Sequence, residues 1–198
     1  CGVRSVKEAL LCQQLRVDFI GLNFVPSSER RISYQLAQQI IRAMKKYRKF
    51  SPTQVVGVFQ DQPEEEVFNG AQKLGLDFIQ LHGEEEIALI KRSHLPIIKA
   101  TSITNQQDLI RAEKYYPYVS YLLFDGRQPG SGDSFPHGIL RRARIPYLLA
   151  GGIHARNLRS ALKQRRSIGV DIASGVETHW KRDFGKIREL SQLLVHSR

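Results

Sequence analysis

A carboxylate, a guanidinium and an imidazole in this chain follow short apolar runs, where a buried strand would hand them to a loop, and a thiol stands just ahead of the first helical pattern. Cys1 lies just ahead of a helical pattern, and a thiol near a helix N-terminus can lose its proton readily enough to act as a base or nucleophile. A lone cysteine is also often a small core residue, and Cys12, among Leu10, Leu11 and Leu15, reads as one. Asp125 closes the run Tyr121-Leu122-Leu123-Phe124, a place where a carboxylate needs solvent, a partner or a task. It could serve as a general acid or cap the following turn, and both readings stay open at this point. Arg30, in the polar loop after Gly21-Leu22-Asn23-Phe24, could clamp a carboxylate through two hydrogen bonds or remain solvated. His82 could donate to a substrate or to its own loop.

Two glycine pairs add a binding function. Gly151-Gly152 follows the strand-like Pro146-Tyr147-Leu148-Leu149-Ala150 and precedes a helical pattern opening at His154, where free amides would attract an anion. Ser174-Gly175 follows Ile168-Gly169-Val170-Asp171-Ile172-Ala173 in the same way and offers a hydroxyl with unhindered N–H groups. Such loops after the seventh and eighth strands of a (β/α)8 barrel commonly hold a substrate phosphate. The spacing contains no metal-ligand pattern and no dinucleotide fingerprint. The reading is acid/base chemistry on a phosphorylated small molecule, with no metal and no cofactor.

The elements that must position these residues alternate along the chain. Strand patterns fall at 17–24, 54–59, 77–81, 96–100, 119–125, 146–150 and 168–173, and helical patterns at 6–15, 34–47, 64–74, 85–92, 106–115, 138–142, 155–163 and 184–195. Near-continuous apolar strands are those buried on both faces, as in parallel sheets. Seven strands against eight helices leave the first helix in surplus. Ser5 with Glu8 forms a capping-box pattern that starts this helix, so residues 1–4 read as a turn after a further strand. The expected fold is an α/β (β/α)8 TIM barrel lacking most of its first strand in this sequence, as one domain over residues 1–198. A doubly wound open sheet is the alternative.

Composition bounds the rest. The 198 residues, 41% hydrophobic, suit one substantial core, and no apolar run approaches the roughly twenty residues that span a bilayer. Two cysteines make no disulfide framework and no signal peptide is visible, so a cytoplasmic location is expected. The net charge of +11 and pI near 9.9 favour anionic partners. The cations are scattered, however, with Lys45, Lys46, Arg48 and Lys49 closing one helix and Arg141, Arg142 and Arg144 another, where they complement the helix dipole. No recognition motif or aromatic groove accompanies them, and neither a nucleic-acid nor a membrane partner is expected.

A resemblance then joins these pieces. In one order the chain carries Cys1-Gly2, Gly21-Leu22-Asn23-Phe24 with Pro26 and Ser28 to Ser33, Val56-Gly57-Val58-Phe59, Gln80-Leu81-His82-Gly83, Leu122-Leu123-Phe124-Asp125, Gly130-Ser131-Gly132, Ala150-Gly151-Gly152-Ile153 and Asp171-Ile172-Ala173-Ser174-Gly175-Val176-Glu177. This ordered set resembles the phosphoribosylanthranilate isomerase family of tryptophan biosynthesis. The resemblance implies a cofactor-free Amadori rearrangement of N-(5-phosphoribosyl)anthranilate by a monomer or homodimer. It implies Asp125 as general acid, Cys1 as general base, Arg30 near the anthranilate carboxylate, Gly151, Gly152, Ser174 and Gly175 as the phosphate loops, and Asp171 and His82 near the site. A non-catalytic phosphate-binding remnant and another sugar-phosphate isomerase are the competing expectations. The chain departs from the family pattern in lacking a strand before Cys1, at Pro136-His137, and over 178–183, where the expected rim of the phosphate pocket changes.

Overall fold

Apolar runs too short for helices alternate here with segments whose apolar residues recur every three to four positions, and the chain resolves them into parallel strands and covering helices. The computed structural model describes residues 1–47, 52–125 and 137–195. It divides into two compact units, Cys1–Ile97 and Ile98–Arg198. Arg48, Lys49, the Gly130-Ser131-Gly132 motif and Pro136 lie outside the described residues.

The first unit runs α1 (Val6–Gln14), β1 (Phe19–Asn23), α2 (Tyr34–Lys45), β2 (Gln54–Phe59), α3 (Glu64–Leu74), β3 (Phe78–Leu81) and α4 (Ile87–Arg92). All three strands are parallel in chain order, with Phe19 opposite Gln54 and Val56 opposite Phe78. β3 is buried throughout and β2 at every residue but the first. Helices therefore cover both the pattern's demands: α2 turns Ala37, Ile40, Ile41 and Met44 inward, and α3 turns Val67, Gly70, Ala71 and Leu74 inward. Ser33 caps α2 by accepting the Leu36 N–H, three glutamates occupy the first turn of α3, and Gly75 ends α3 in the left-handed region at φ 63°.

The second unit holds β4 (Ile97–Ser102, all but its first residue), α5 (Gln106–Glu113), β5 (Tyr121–Asp125), α6 (His137–Leu140), β6 (Tyr147–Ala150), α7 (Leu158–Leu162), β7 (Ser167–Val170), β8 (Glu177–Thr178), β9 (Lys181–Arg182) and α8 (Phe184–Val195). β4 to β7 pair in parallel in chain order, with Ile98 opposite Tyr121, Leu123 opposite Leu148 and Tyr147 opposite Ser167. Phe124 stacks on Tyr147 at 4.5 Å between ring centroids, and both are fully buried. β7 is the exception to the buried-strand pattern, since Ile168 is 54% exposed.

Several boundaries differ from the sequence pattern, each for a local reason. α5 stops at Glu113 because the chain tightens into a 3-10 turn over Tyr116–Tyr118 around Pro117, which has no N–H to continue a helix. α7 opens at Leu158 rather than at 155, and β7 ends at Val170, so Asp171, Ile172 and Ala173 belong to the loop. α6, expected to start at Gly138, runs from His137. Cys12 is half-buried rather than a fully enclosed core residue. The capping box of α1 is one-sided: Ser5 Oγ accepts the Glu8 N–H at 3.2 Å, while the Glu8 carboxylate accepts from Arg4 N–H at 2.7 Å instead of from Ser5.

The α5 cap makes a stability prediction. Asn105 Oδ1 accepts the Gln107 and Asp108 N–H groups, and Asp108 Oδ2 accepts from Thr104 Oγ1 at 2.6 Å and from the Thr104 and Asn105 N–H groups. Burial raises the Asp108 pKa, but the Thr104 hydroxyl and N–H, the Arg111 guanidinium and the Asn105 N–H outweigh it and bring it down to about 2. A folded pKa below the unfolded one contributes stability above about pH 4, and that contribution is lost as pH falls toward 2. Asn105→Ala is expected to lower stability by about 1 kcal/mol in urea unfolding at neutral pH. Asp108→Asn should be less stable than the parent at pH 7, and the gap should close toward pH 2. A constant gap across that range would assign the loss to something other than the carboxylate.

Candidate active site

In the first unit the candidates sit at the carboxyl ends of β1 and β3 and on the segment that runs beside β1. Val3 N–H donates to the Gly21 carbonyl at 2.9 Å, and Gly2 takes a left-handed conformation at φ 73°. This brings the half-buried Cys1 against Gly21 in mid-β1: a Cβ built on that glycine would stand 2.6 Å from Cys1 Sγ. Beyond β1 the chain folds back on itself, since Ile32 N–H donates to the Asn23 carbonyl and Val25 N–H to Asn23 Oδ1, both at 2.9 Å. Ser28 then braces the turn, its Oγ accepting the Arg30 N–H at 3.2 Å and its carbonyl the Arg31 N–H at 3.0 Å. Arg30 is thus half-buried on a braced loop while its neighbours Glu29 and Arg31 are exposed.

His82 follows β3 directly and donates its N–H to the Phe59 carbonyl at 2.9 Å. Its loop is stapled by two carboxylates that the sequence reading passed over. The buried Glu85 accepts the Gly83 and Asp61 N–H groups, and Asp61, itself left-handed at φ 51°, accepts the Glu84 N–H at 2.7 Å. A methyl on Gly83 would run into the Asp61 carboxylate. The half-buried imidazole is thereby held on a rigid loop. The signal in the sequence was the run Glu84-Glu85-Glu86, which looks like helix N-terminal charge until its middle residue proves buried.

In the second unit, Asp125 is the last residue of β5, opposite Ser102 on one side and Ala150 on the other. Its carbonyl accepts the Ile103 N–H at 3.0 Å and its side chain is half-buried. Ala150 leads directly into Gly151 and Gly152, at φ 95° and 61°, backbone states that L side chains rarely adopt. Asp171 continues from β7 alongside β6, donating its N–H to the Leu149 carbonyl at 2.8 Å. The two glycine loops meet: a Cβ on Gly175 would collide with the Ile153 carbonyl oxygen. The loop that continues from Gly151 and Gly152 thus lies in backbone contact with the one carrying the exposed Ser174.

The helix expected to open directly behind the first glycine pair does not do so. α7 starts four residues after the expected opening at His154, and the His154 N–H donates to Asn157 Oδ1 at 2.8 Å while Asn157 Nδ2 donates to the Gly152 carbonyl at 3.0 Å. An anion on this face would be held by the glycine loops themselves, with Asn157 shaping the first. The second loop is braced from behind. Arg182, its side chain buried, donates to the Ala173 carbonyl at 2.7 Å and lies 3.7 Å from the buried Glu177 carboxylate, whose backbone carbonyl accepts from Lys186 Nζ. The departure over 178–183 proves to be a tight hairpin of β8 and β9, antiparallel, turning through His179 and Trp180 at φ 48° and 62°. Two successive left-handed residues are the geometry of a type I′ turn, here without the usual Asn-Gly.

Parallel strands in chain order, covering helices, candidate acid/base side chains near strand ends and glycine loops after β6 and β7 are features of the (β/α)8 class of enzymes. The comparisons agree and narrow it. The family model described as N-(5'-phosphoribosyl)anthranilate (PRA) isomerase matches residues 1–193. The N-(5'-phosphoribosyl)anthranilate isomerase of Oceanobacillus iheyensis is 35% identical over 196 residues, 96% of this chain and 92% of that protein. The Thermotoga maritima phosphoribosylanthranilate isomerase structure superposes with a TM-score of 0.83 at 31% identity, covering 96% and 93% of the two chains, and that enzyme is described as dimeric. A phosphoribosyl anthranilate isomerase structure in complex with reduced 1-(o-carboxyphenylamino)-1-deoxyribulose 5-phosphate superposes with a TM-score of 0.81 at 30% identity, covering 97% of this chain and 94% of that one. The chain belongs to the phosphoribosylanthranilate isomerase family, isomerases of tryptophan biosynthesis built on the TIM barrel. Among the described residues no helix is long and apolar enough to cross a membrane.

Proposed function

We propose that this chain converts N-(5-phosphoribosyl)anthranilate into 1-(2-carboxyphenylamino)-1-deoxyribulose 5-phosphate without a cofactor. The observation that carries the reading is the family match over residues 1–193. Asp125 protonates the furanose ring oxygen, the C1–O bond breaks, and the anilino nitrogen lone pair forms the Schiff base. Cys1, as thiolate, removes the proton from C2, giving the enolamine that tautomerises to the ketone; no net electrons leave the substrate. Arg30 pairs with the anthranilate carboxylate, and Gly151, Gly152, Ser174 and Gly175 hold the phosphate. His82 and Asp171 complete the polar surround. Residues 1–198 act as a single barrel domain, as a monomer or homodimer in the cytoplasm, with a phosphorylated small molecule rather than a nucleic acid or membrane as partner.

The test is loss of anthranilate-type fluorescence when the purified chain meets freshly made phosphoribosylanthranilate. Turnover is expected, with Arg30→Ala raising KM roughly ten- to a hundredfold, the worth of a charge-assisted hydrogen bond. A folded chain that binds but does not turn over the substrate would leave only the phosphate-binding remnant. An Arg30→Ala variant with the parental KM would remove that residue from the carboxylate.

A further inference from the structure

Gly21 sits in mid-β1 between the buried Ile20 and Leu22, in regular register opposite Val56. Glycine is unfavourable inside a strand, where it carries no side chain to pack and loses the most freedom on folding. Nothing in the backbone asks for it, because Gly21 is not among the glycines with positive φ. What asks for it is space. A Cβ at this position would stand 2.6 Å from Cys1 Sγ, 3.2 Å from Cys1 Cα and 3.3 Å from Cys1 Cβ.

The segment carrying Cys1 has little room to yield. Its Val3 is buried and donates to the carbonyl of Gly21 itself, the Arg4 N–H is held by Glu8, and Ser5 begins α1. One residue thus holds the cysteine twice, by its carbonyl through Val3 and by the hollow its missing side chain leaves for the thiol. An added methyl would force the thiol into another staggered position or lift residues 1–3 from β1.

We propose that Gly21 is a positioning residue for Cys1, its hollow setting where the thiol points; the catalytic consequence rests on the reading of Cys1 as general base. Proton abstraction from C2 depends on that placement, and a displacement of about 1 Å costs on the order of a hundredfold in rate.

The experiment is Gly21→Ala in a Cys12→Ser background, so that Cys1 is the one thiol reporting. Three readouts are taken: kcat and KM for phosphoribosylanthranilate, the pH profile of Cys1 alkylation by iodoacetamide, and the unfolding midpoint. The expected result is a fall in kcat of about a hundredfold with KM within about twofold, and an altered alkylation profile. Parental kcat with a parental alkylation profile would overturn the proposal, as would a loss confined to KM. Should Gly21→Ala not fold, Cys1→Ala/Gly21→Ala is expected to recover the fold because the nearest clashing atom is gone. A double variant that fails as completely as the single would also overturn it. Cys1→Ala alone separates the two readings: full turnover there would remove Cys1 as the base, while the alkylation profile would still decide whether Gly21 seats the thiol.

Discussion

Asp125→Asn is expected to abolish measurable turnover, a loss of at least the roughly hundred- to ten-thousandfold that a general acid supplies, while leaving the fold intact. The amide is nearly isosteric with the carboxyl and keeps hydrogen-bonding capacity, but its N–H groups are not acidic enough to transfer a proton to the ring oxygen. The backbone contacts that hold β5 in place, with Asp125 opposite Ser102 and Ala150 and its carbonyl accepting from Ile103, remain available to the amide. Circular dichroism should therefore match the parent while the fluorescence assay falls silent. Retained turnover by the amide would return Asp125 to the turn-capping role that its sequence context also allowed.

A second large effect is expected from one methyl group. Gly175→Ala places a carbon against the Ile153 carbonyl, and the atoms it meets are all backbone, so no side-chain rotation relieves the clash. The loops carrying Gly151-Gly152 and Ser174-Gly175 must separate. If they hold the phosphate together, KM should rise by about a hundredfold or more, since each lost hydrogen bond to a charged group is worth about 1.5–3 kcal/mol. Binding energy from a remote phosphate also serves the reacting centre, so kcat should fall as well. Inhibition by inorganic phosphate gives an independent reading and should weaken in parallel. Parental phosphate inhibition in the folded variant would show that these loops do not form the anion site.

Elements follow the sequence pattern most closely where local chemistry decides local structure. β2 at Gln54–Phe59, α3 at Glu64–Leu74 and α8 at Phe184–Val195 fall where the patterns place them, because period, glutamates in the first turn and a following glycine all act within a few residues. The ends of α5 and α7 moved for reasons equally short in range but easily overlooked. Pro117 follows the one, and Asn157, bonded to both the His154 N–H and the Gly152 carbonyl, holds residues 152–157 in a turn ahead of the other. The β8–β9 hairpin went unread because His179-Trp180 lacks the glycine or asparagine that normally announces a type I′ turn.

Residue types and their order determined the (β/α)8 class and the candidates Arg30, His82, Asp125, Gly151, Gly152, Ser174 and Gly175, because a residue just past an apolar run is recognisable wherever that run ends up; Cys1 stood out ahead of a helical pattern, and the ordered motifs that resemble the family added Asp171. Only the tertiary structure showed what holds some of those candidates in place. Glu85 and Asp61 staple the His82 loop from 24 and 23 residues apart in their contacts, Arg182 backs the Ala173 carbonyl, Ile153 forbids a side chain at Gly175, and Cys1 occupies the space of one at Gly21. The physical reason is that a glycine chosen for conformation leaves its mark in the neighbouring turn residues. A glycine chosen because another segment lies against it leaves none, and that segment is known only once the chain has folded.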